Sequence, residues 1–186
     1  MPITPLHYPI AYLAHKLDER LSFPGLIVGN MQPDIEIPFL YLITGDRFHS
    51  RLVLHSLFGA IVFGTLLSVI LVVFLYPWAA SFFFGCEKNE INKKCNFSPI
   101  LVISCLIGNL SHVLLDLSNH QYNPLLWPFL SAESSFNPIC PLLGGYENAS
   151  LLMHSVMLTL LLLIIVYEWK QDNSNVLDFL KRLIVG

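Results

Sequence analysis

Residues 54–76 read LHSLFGAIVFGTLLSVILVVFLY, an apolar run with no Asp, Glu, Lys or Arg and a single histidine, His55. A helix needs ~20 residues to cross the hydrocarbon core of a bilayer, so this stretch predicts a transmembrane helix. Two further runs have the same character, from about Pro99 to Leu117 and from about Leu151 to Trp169. Hydrophobic residues make up 54% of the 186 and charged residues 12%, whereas a soluble domain carries ~25% charged residues. Mean hydropathy is +0.61. Too little polar surface remains to cover a globule in water. The predicted class is an all-α integral membrane protein in one domain, 1–186. It has three transmembrane helices (54–76, 99–117, 151–169), preceded by amphipathic and half-embedded helices within 1–53.

The flanking segments read differently. LHYPIAYLAHKLDERL alternates apolar and polar groups at helical spacing and suits a short amphipathic helix. FPGLIVGNMQPDIEIPFLYLITG is apolar but cut by Pro24, Gly29, Pro33 and Pro38, which fits a buried or half-embedded broken helix. Pro77 and Pro99, with the polar stretch between them, mark the break after the first span. Residues 119–150, rich in Pro, Asn, Ser and Gly, read as a loop with a turn near PLLWPFL. QDNSNVLDFLKRLIVG reads as a surface amphipathic helix. The first twenty residues lack a basic start followed by an apolar core, so insertion is expected to rely on the internal spans.

A net charge of −3 and a pI of about 6.1 give no basic footprint for nucleic acid. The four cysteines form no metal or disulfide framework by spacing. Cys86 and Cys95, flanking a polar loop, could pair if that loop faced outward.

Threading three spans through a membrane assigns all seven histidines to one face: His7, His15, His49, His55, His112, His120 and His154. Asp34, Glu36 and Asp116 join them. Full crossing by residues 22–43 would break that assignment. The opposite face holds Lys88, Lys93, Lys94, Lys170, Lys181 and Arg182, against Lys16, Arg20, Arg47 and Arg51 on the histidine face. The positive-inside tendency then places the histidine face outside the cytoplasm of a cell (inner) membrane.

In NLSHVLLDLSNH (109–120), helical spacing sets His112, Asp116 and His120 on one face, four residues apart. Ionisable groups beside an apolar span need partners. Imidazole and carboxylate suit zinc or another divalent transition metal, with Asp116 able to bridge two ions. His55, Asp34 and His7 are the best-placed additional ligands. His112 and Asp116 could equally bond each other and Asn109 as a structural pair, and Asp34 could be a helix N-cap. His154 reads as interfacial, and His15 and His49 as solvated.

Four ordered stretches carry a resemblance: MPITPLHYPI (1–10), GLIVGNMQPDIE (25–36), LHSLFGAIVFG (54–64) and GNLSHVLLDLSNHQYNPLLWPF (108–129). Together they resemble a family of membrane-bound, metal-dependent hydrolases that includes the LexA-binding inner-membrane hydrolases and similar uncharacterised membrane proteins. The resemblance covers most of residues 1–130. It implies a helical membrane protein with one or two metal ions, zinc foremost, held by His7, Asp34, His55, His112 and Asp116. The His-x-x-x-Asp helix is also similar to that of zinc-dependent phospholipase C, which points remotely to phosphoester chemistry. Many relatives read Thr-His-Ser where this chain has Leu54-His55-Ser56.

The expected activity is hydrolysis of a lipid-linked or phosphoester substrate at one membrane face. Asp116 is the catalytic carboxylate, and Glu36 or His120 a base or extra ligand. No Gly-x-Ser-x-Gly elbow is present. The alternative is a non-catalytic membrane subunit that docks a membrane partner, or a second copy, through the 119–150 loop or the first span, with the His/Asp cluster structural. A transporter fits less well, because the ionisable groups gather at one face instead of marking a path across.

Overall fold

Among the described residues every regular element is helical. The computed structural model describes residues 4–46, 50–120, 122–131, 137, 139–171 and 175–186; His49 and Arg47, placed on the histidine face by sequence, lie outside them. A 3-10 turn (Thr4–His7) leads into α1 (Tyr8–Leu17), followed by α2 (Phe23–Met31), a second 3-10 turn (Gln32–Ile35) and α3 (Glu36–Thr44). Then come α4 (Leu57–Phe84), α5 (Lys88–Cys95), α6 (Pro99–Leu117), α7 (Tyr146–Gln171) and α8 (Val176–Ile184).

Side-chain caps set the starts of three of these helices. Ser22, Ser56 and Ser98 accept hydrogen bonds from the backbone N–H of Gly25, Gly59 and Leu101 respectively, satisfying donors that the first turn leaves free. Pro24 and Pro99 sit in the first turns of α2 and α6, where a missing N–H costs nothing.

The helices α4, α6 and α7 are long and apolar enough to cross a membrane. Their outer faces carry large exposed hydrophobics, among them Phe63, Leu66 and Phe74 on α4 and Leu151, Leu163 and Val166 on α7. Apolar surface on that scale belongs in lipid, not water. The chain is a membrane protein.

Pro77 does not end the first span as its residue type suggests. The helix runs on to Phe84 and stops at Gly85, whose φ of 64° closes it with a left-handed cap. A π-helical stretch, Leu71–Leu75, lies just ahead of Pro77. This wider turn relieves the clash that a proline ring makes with the carbonyl four residues back.

The first forty residues take an arrangement that hydropathy does not disclose. His7, at the head of α1, stacks on His112 near the end of α6, with ring centroids 4.2 Å apart. Ser22, at the far end of the α1–α2 hairpin, meets the start of α6 instead: its N–H donates to Ser104 Oγ (2.8 Å), and its hydroxyl to the Lys94 carbonyl. So α1 runs antiparallel to α6, and α2 returns parallel to it. The pair is a re-entrant hairpin that leaves both of its ends beside the histidines.

Small residues permit that insertion. A Cβ added at Gly29 of α2 would lie 2.4 Å from the Cys105 carbonyl oxygen, and one at Gly108 of α6 would lie 2.7 Å from the Leu26 carbonyl. The two backbones touch directly, as helices do where small residues meet in membranes. Leu26, Phe23 and Ala11 complete an apolar cluster beneath.

This hairpin corrects the assignment of every histidine to one face. His15, at the end of α1, stacks on Phe23 at 4.8 Å and pairs with the Leu21 carbonyl, at the opposite end of the bundle from His7. Lys16 and Arg20 move with it. His154 lies on α7, bonded to the Ser150 carbonyl one turn back.

At that opposite end, Glu168 of α7 is buried, and its carboxylate takes hydrogen bonds from Tyr12 and from Arg182 Nε (3.1 Å), while Arg182 Nη2 reaches the Glu168 carbonyl. Tyr8 and Tyr76 hydroxyls donate to the Leu183 and Ile184 carbonyls, so α8 is strapped across the bundle. Cys86 and Cys95 are both buried, free thiols in one apolar cluster, against which Ile184 and Val185 pack.

Candidate metal centre

Four chain segments meet at the histidine end of the bundle. The last turns of α6 present His112 and Asp116 on the inner face. The 3-10 turn after α2 presents Asp34, the segment before α4 presents His55, and the turn before α1 presents His7. All five are buried, between 0% and 8% exposed.

Four of their atoms form a closed ring of near neighbours. His55 Nε2 lies 3.6 Å from Asp34 Oδ1 and 3.7 Å from Asp116 Oδ2; His112 Nε2 lies 3.6 Å from each of the same two oxygens. Direct hydrogen bonds are shorter than this. Tetrahedral coordination with bonds of about 2.0–2.2 Å would set ligand–ligand separations of about 3.3–3.6 Å. The spacing therefore fits a cation at the centre better than it fits mutual hydrogen bonding. His7 belongs to an overlapping group with His112 and Asp116, its ligand atom within 4.8 Å of theirs.

The outer hydrogen bonds fix which nitrogen faces inward. His55 Nδ1 lies 3.0 Å from Glu36 Oε2, and His112 Nδ1 2.8 Å from the Asn30 carbonyl. Carboxylate and carbonyl oxygens only accept, so both Nδ1 atoms carry the proton and both Nε2 atoms turn a lone pair to the centre. Among the described residues His7 Nδ1, His55 Nε2, His112 Nε2 and Asp116 Oδ2 have no hydrogen-bond partner. Buried polar atoms are normally satisfied, so four orphans aimed at one place indicate a group that binds there. Asn109 takes no part: its amide donates to Ser68 and to the Cys105 carbonyl. The alternative in which His112 and Asp116 pair with Asn109 as structural glue does not match that geometry.

Glu36 and His120 stand outside the cage. Glu36 accepts from the backbone N–H of Val53 and Leu54 as well as from His55; both oxygens are engaged, and it orients His55. His120 Nε2 faces Asp116 Oδ1 at 3.5 Å, and its Nδ1 takes Arg51 Nη1 at 3.0 Å. Arginine only donates, so Nδ1 is the acceptor and the proton of a neutral His120 sits on Nε2, toward Asp116. Burial lowers the pKa of His120 and keeps it neutral. Burial likewise lowers His7, with His112 adding to the effect, to about 3. Burial pushes Asp34 up, but His55 and His112 beside it bring it down to about 2.

Arg51 is the participant that sequence reasoning missed. It reads as one surface charge among several, yet its side chain is largely buried, with Nε 3.9 Å from Asp116 Oδ2. The available signal was its position four residues before His55. Thr4, whose hydroxyl donates to Asp34 Oδ2 at 2.7 Å, and the Asn30 carbonyl carry no chemical signature in sequence. Ser56 is spent on capping α4 and on the Val53 carbonyl.

A family model described as a domain of unknown function (DUF4184) matches residues 1–185. It describes no hydrolase. Nothing matches among curated proteins, and nothing among solved structures.

Proposed function

The chain belongs to the DUF4184 family, and we propose that it is a membrane-embedded, metal-dependent hydrolase acting at one membrane face. The observation that carries the reading is the cage of His55 Nε2, His112 Nε2, Asp34 Oδ1 and Asp116 Oδ2, spaced at 3.6–3.7 Å. His55, His112, Asp34 and Asp116 would hold a divalent ion, zinc foremost given the mixed nitrogen and oxygen donors, and His7 would be a further ligand to it or to a second ion. Three carboxylates (Asp34, Glu36, Asp116) and one guanidinium (Arg51) leave a formal charge that one divalent cation balances, and an uncompensated buried charge is costly. When bound, such an ion supplies Lewis acidity and brings the pKa of a coordinated water toward ~7.

The protein's own groups have distinct parts. Glu36 and Asn30 hold the two imidazoles in register, which is where much of a site's affinity resides. Asp116 has Oδ2 in the cage, with Arg51 Nε 3.9 Å from it, and Oδ1 toward His120; Oδ1 is the group placed to receive a proton from an attacking water. His120 presents its Nε2 proton toward that oxygen at 3.5 Å and biases its orientation electrostatically.

Charge supports an orientation. With the hairpin inserted, Lys16, Arg20, Lys88, Lys93, Lys94, Lys170, Lys181 and Arg182 all lie toward the end opposite the cage, and among the described cations Arg51 alone belongs to the cage end. Positive charge favours the cytoplasm, so the site faces outward from a cell membrane.

The near-complete burial of the cage favours a second reading, a closed structural metal site in a non-catalytic subunit. Elemental analysis of detergent-purified protein beside His112→Ala/Asp116→Ala tests the shared premise. Near-stoichiometric zinc, manganese or iron that vanishes in the variant is the expected result. No metal in the wild type, even after supplementation, refutes both readings. Turnover of a phosphoester or lipid substrate, lost on Asp116→Asn, separates the enzyme from the subunit.

A further inference from the structure

A groove of about 400 Å³ runs along the flank of α2, walled on its other side by the middle of α4. Ile27, Val28 and Met31 form one wall and Leu71 and Leu75 the other, with almost no polar lining. Its head is different: Thr4 and Gln32 lie there, and the Thr4 hydroxyl holds Asp34 of the cage. The head of the groove is thus one hydrogen bond away from the candidate metal centre, and its body runs along the side of the bundle that carries exposed Ile35 and Leu75.

Beside the cage stands a cation with donors to spare. Among the described residues Arg51 Nε and Nη2 have no hydrogen-bond partner, although the side chain is only 12% exposed. Two adjacent guanidinium donors match two oxygens of one tetrahedral anion. A neutral amide or ester offers those donors weaker acceptors than the oxygens of a phosphate.

We infer that the groove takes the hydrocarbon chain of an anionic lipid whose phosphate head lies at the cage against Arg51. This rests on the reading of the cage as the catalytic centre and names its substrate class. Moving a chain from bilayer to groove changes its surroundings little, since lipid tails are as apolar as the leucines they would meet. The groove acts by registration: it fixes the depth of the chain and so delivers the head to Asp116 and Arg51. Orientation of this kind is a large part of what an active site contributes.

The test uses metal-loaded full-length protein in detergent, with a diacyl phosphatidic acid carrying a diazirine in one acyl chain. A diacylglycerol with the same chains is the uncharged probe. Crosslinks are mapped by mass spectrometry. Labelling is expected to concentrate in 27–35 and 71–79, and to fall about tenfold for phosphatidic acid in Arg51→Gln, the value of one or two charge-assisted hydrogen bonds. The uncharged probe should show no such loss. Leu71→Trp and Val28→Trp, which fill the groove from either wall, should each displace labelling to other lipid-facing residues while metal content stays at the wild-type level. Labelling spread evenly around the bundle, or unchanged in Arg51→Gln and in the tryptophan variant that retains metal, overturns the proposal. Wild-type protein that binds no metal refutes the hydrolase reading alone, because the crosslink map still decides what the groove holds.

Discussion

Replacing Gly29 by alanine probes whether helix contact sets the metal centre. The new Cβ would lie 2.4 Å from the Cys105 carbonyl oxygen and 3.2 Å from the Asn109 nitrogen. Both are backbone atoms of α6, so neither can swing aside. Ordinary contact begins at 3.4 Å, and α2 must retreat by the difference, about 1.0 Å, at an overpacking cost of about 1–3 kcal/mol. The next residue is Asn30, whose carbonyl holds His112 Nδ1 at 2.8 Å. The same retreat opens that bond to about 3.8 Å, out of hydrogen-bonding range, and frees the ring to turn. Loss of such an orienting bond lowers metal affinity about 10–100-fold. The assay is competition against a chelator of known affinity in detergent, with thermal unfolding recorded on the same samples. Gly145→Ala is the control: its φ of 89° strains any side chain, but the space around it is open. That variant should lose stability without losing affinity. Gly29→Ala protein that is destabilised yet binds metal as tightly as wild type would refute the coupling between α2–α6 contact and the site.

Glu36→Gln should also weaken metal binding by about 10–100-fold, because an amide cannot accept from Val53, Leu54 and His55 together; chelator competition reads it. Metal-free protein should lose stability in two acid steps. His7 has a folded pKa near 3 against an ordinary 6.5, so the unfolded chain takes up a proton that the folded one refuses, and stability falls as pH drops from 6.5 toward 3. Asp34, near 2 against 3.8, loses its contribution only below about pH 4. Urea unfolding across pH 7 to 3 should show His7→Gln with the flatter upper limb; identical profiles would refute the assignment. Glu168→Ala should release α8 at a cost of about 1–3 kcal/mol, read as faster tryptic cleavage after Lys181 and Arg182, and unchanged cleavage would mean the tyrosine bonds alone suffice.

Hydropathy made the three spans legible because length and apolarity suffice for a lipid-facing helix. The proximity of His112 to Asp116 was legible through spacing, since residues four apart share a face in any helix. The depth of residues 8–31 was not. A short helix buried in protein and one half-embedded in lipid have the same composition, and only the close approach of Gly29 to Cys105 and of Gly108 to Leu26 distinguishes them. His15 followed the hairpin to the far end for that reason. Pro77 misled because a π turn ahead of a proline leaves no mark in residue type. Arg51 carries an ordinary surface-like letter, and its burial depends on a partner remote in the chain, His120.

The hairpin also constrains how the protein is made. Its inner leg, α2, is nine residues long, too short to span a bilayer alone, and its docking surface is α6. Synthesis proceeds at ~5–20 residues per second, so roughly 4–17 s separate the completion of Met31 from that of Leu117. During that interval the nascent hairpin lacks the helix it packs against. Of the cage, only Asp34 and His55 exist before α6 is threaded. A metal ion captured at this site is therefore acquired late, and its retention reports that the amino-terminal hairpin has found its slot.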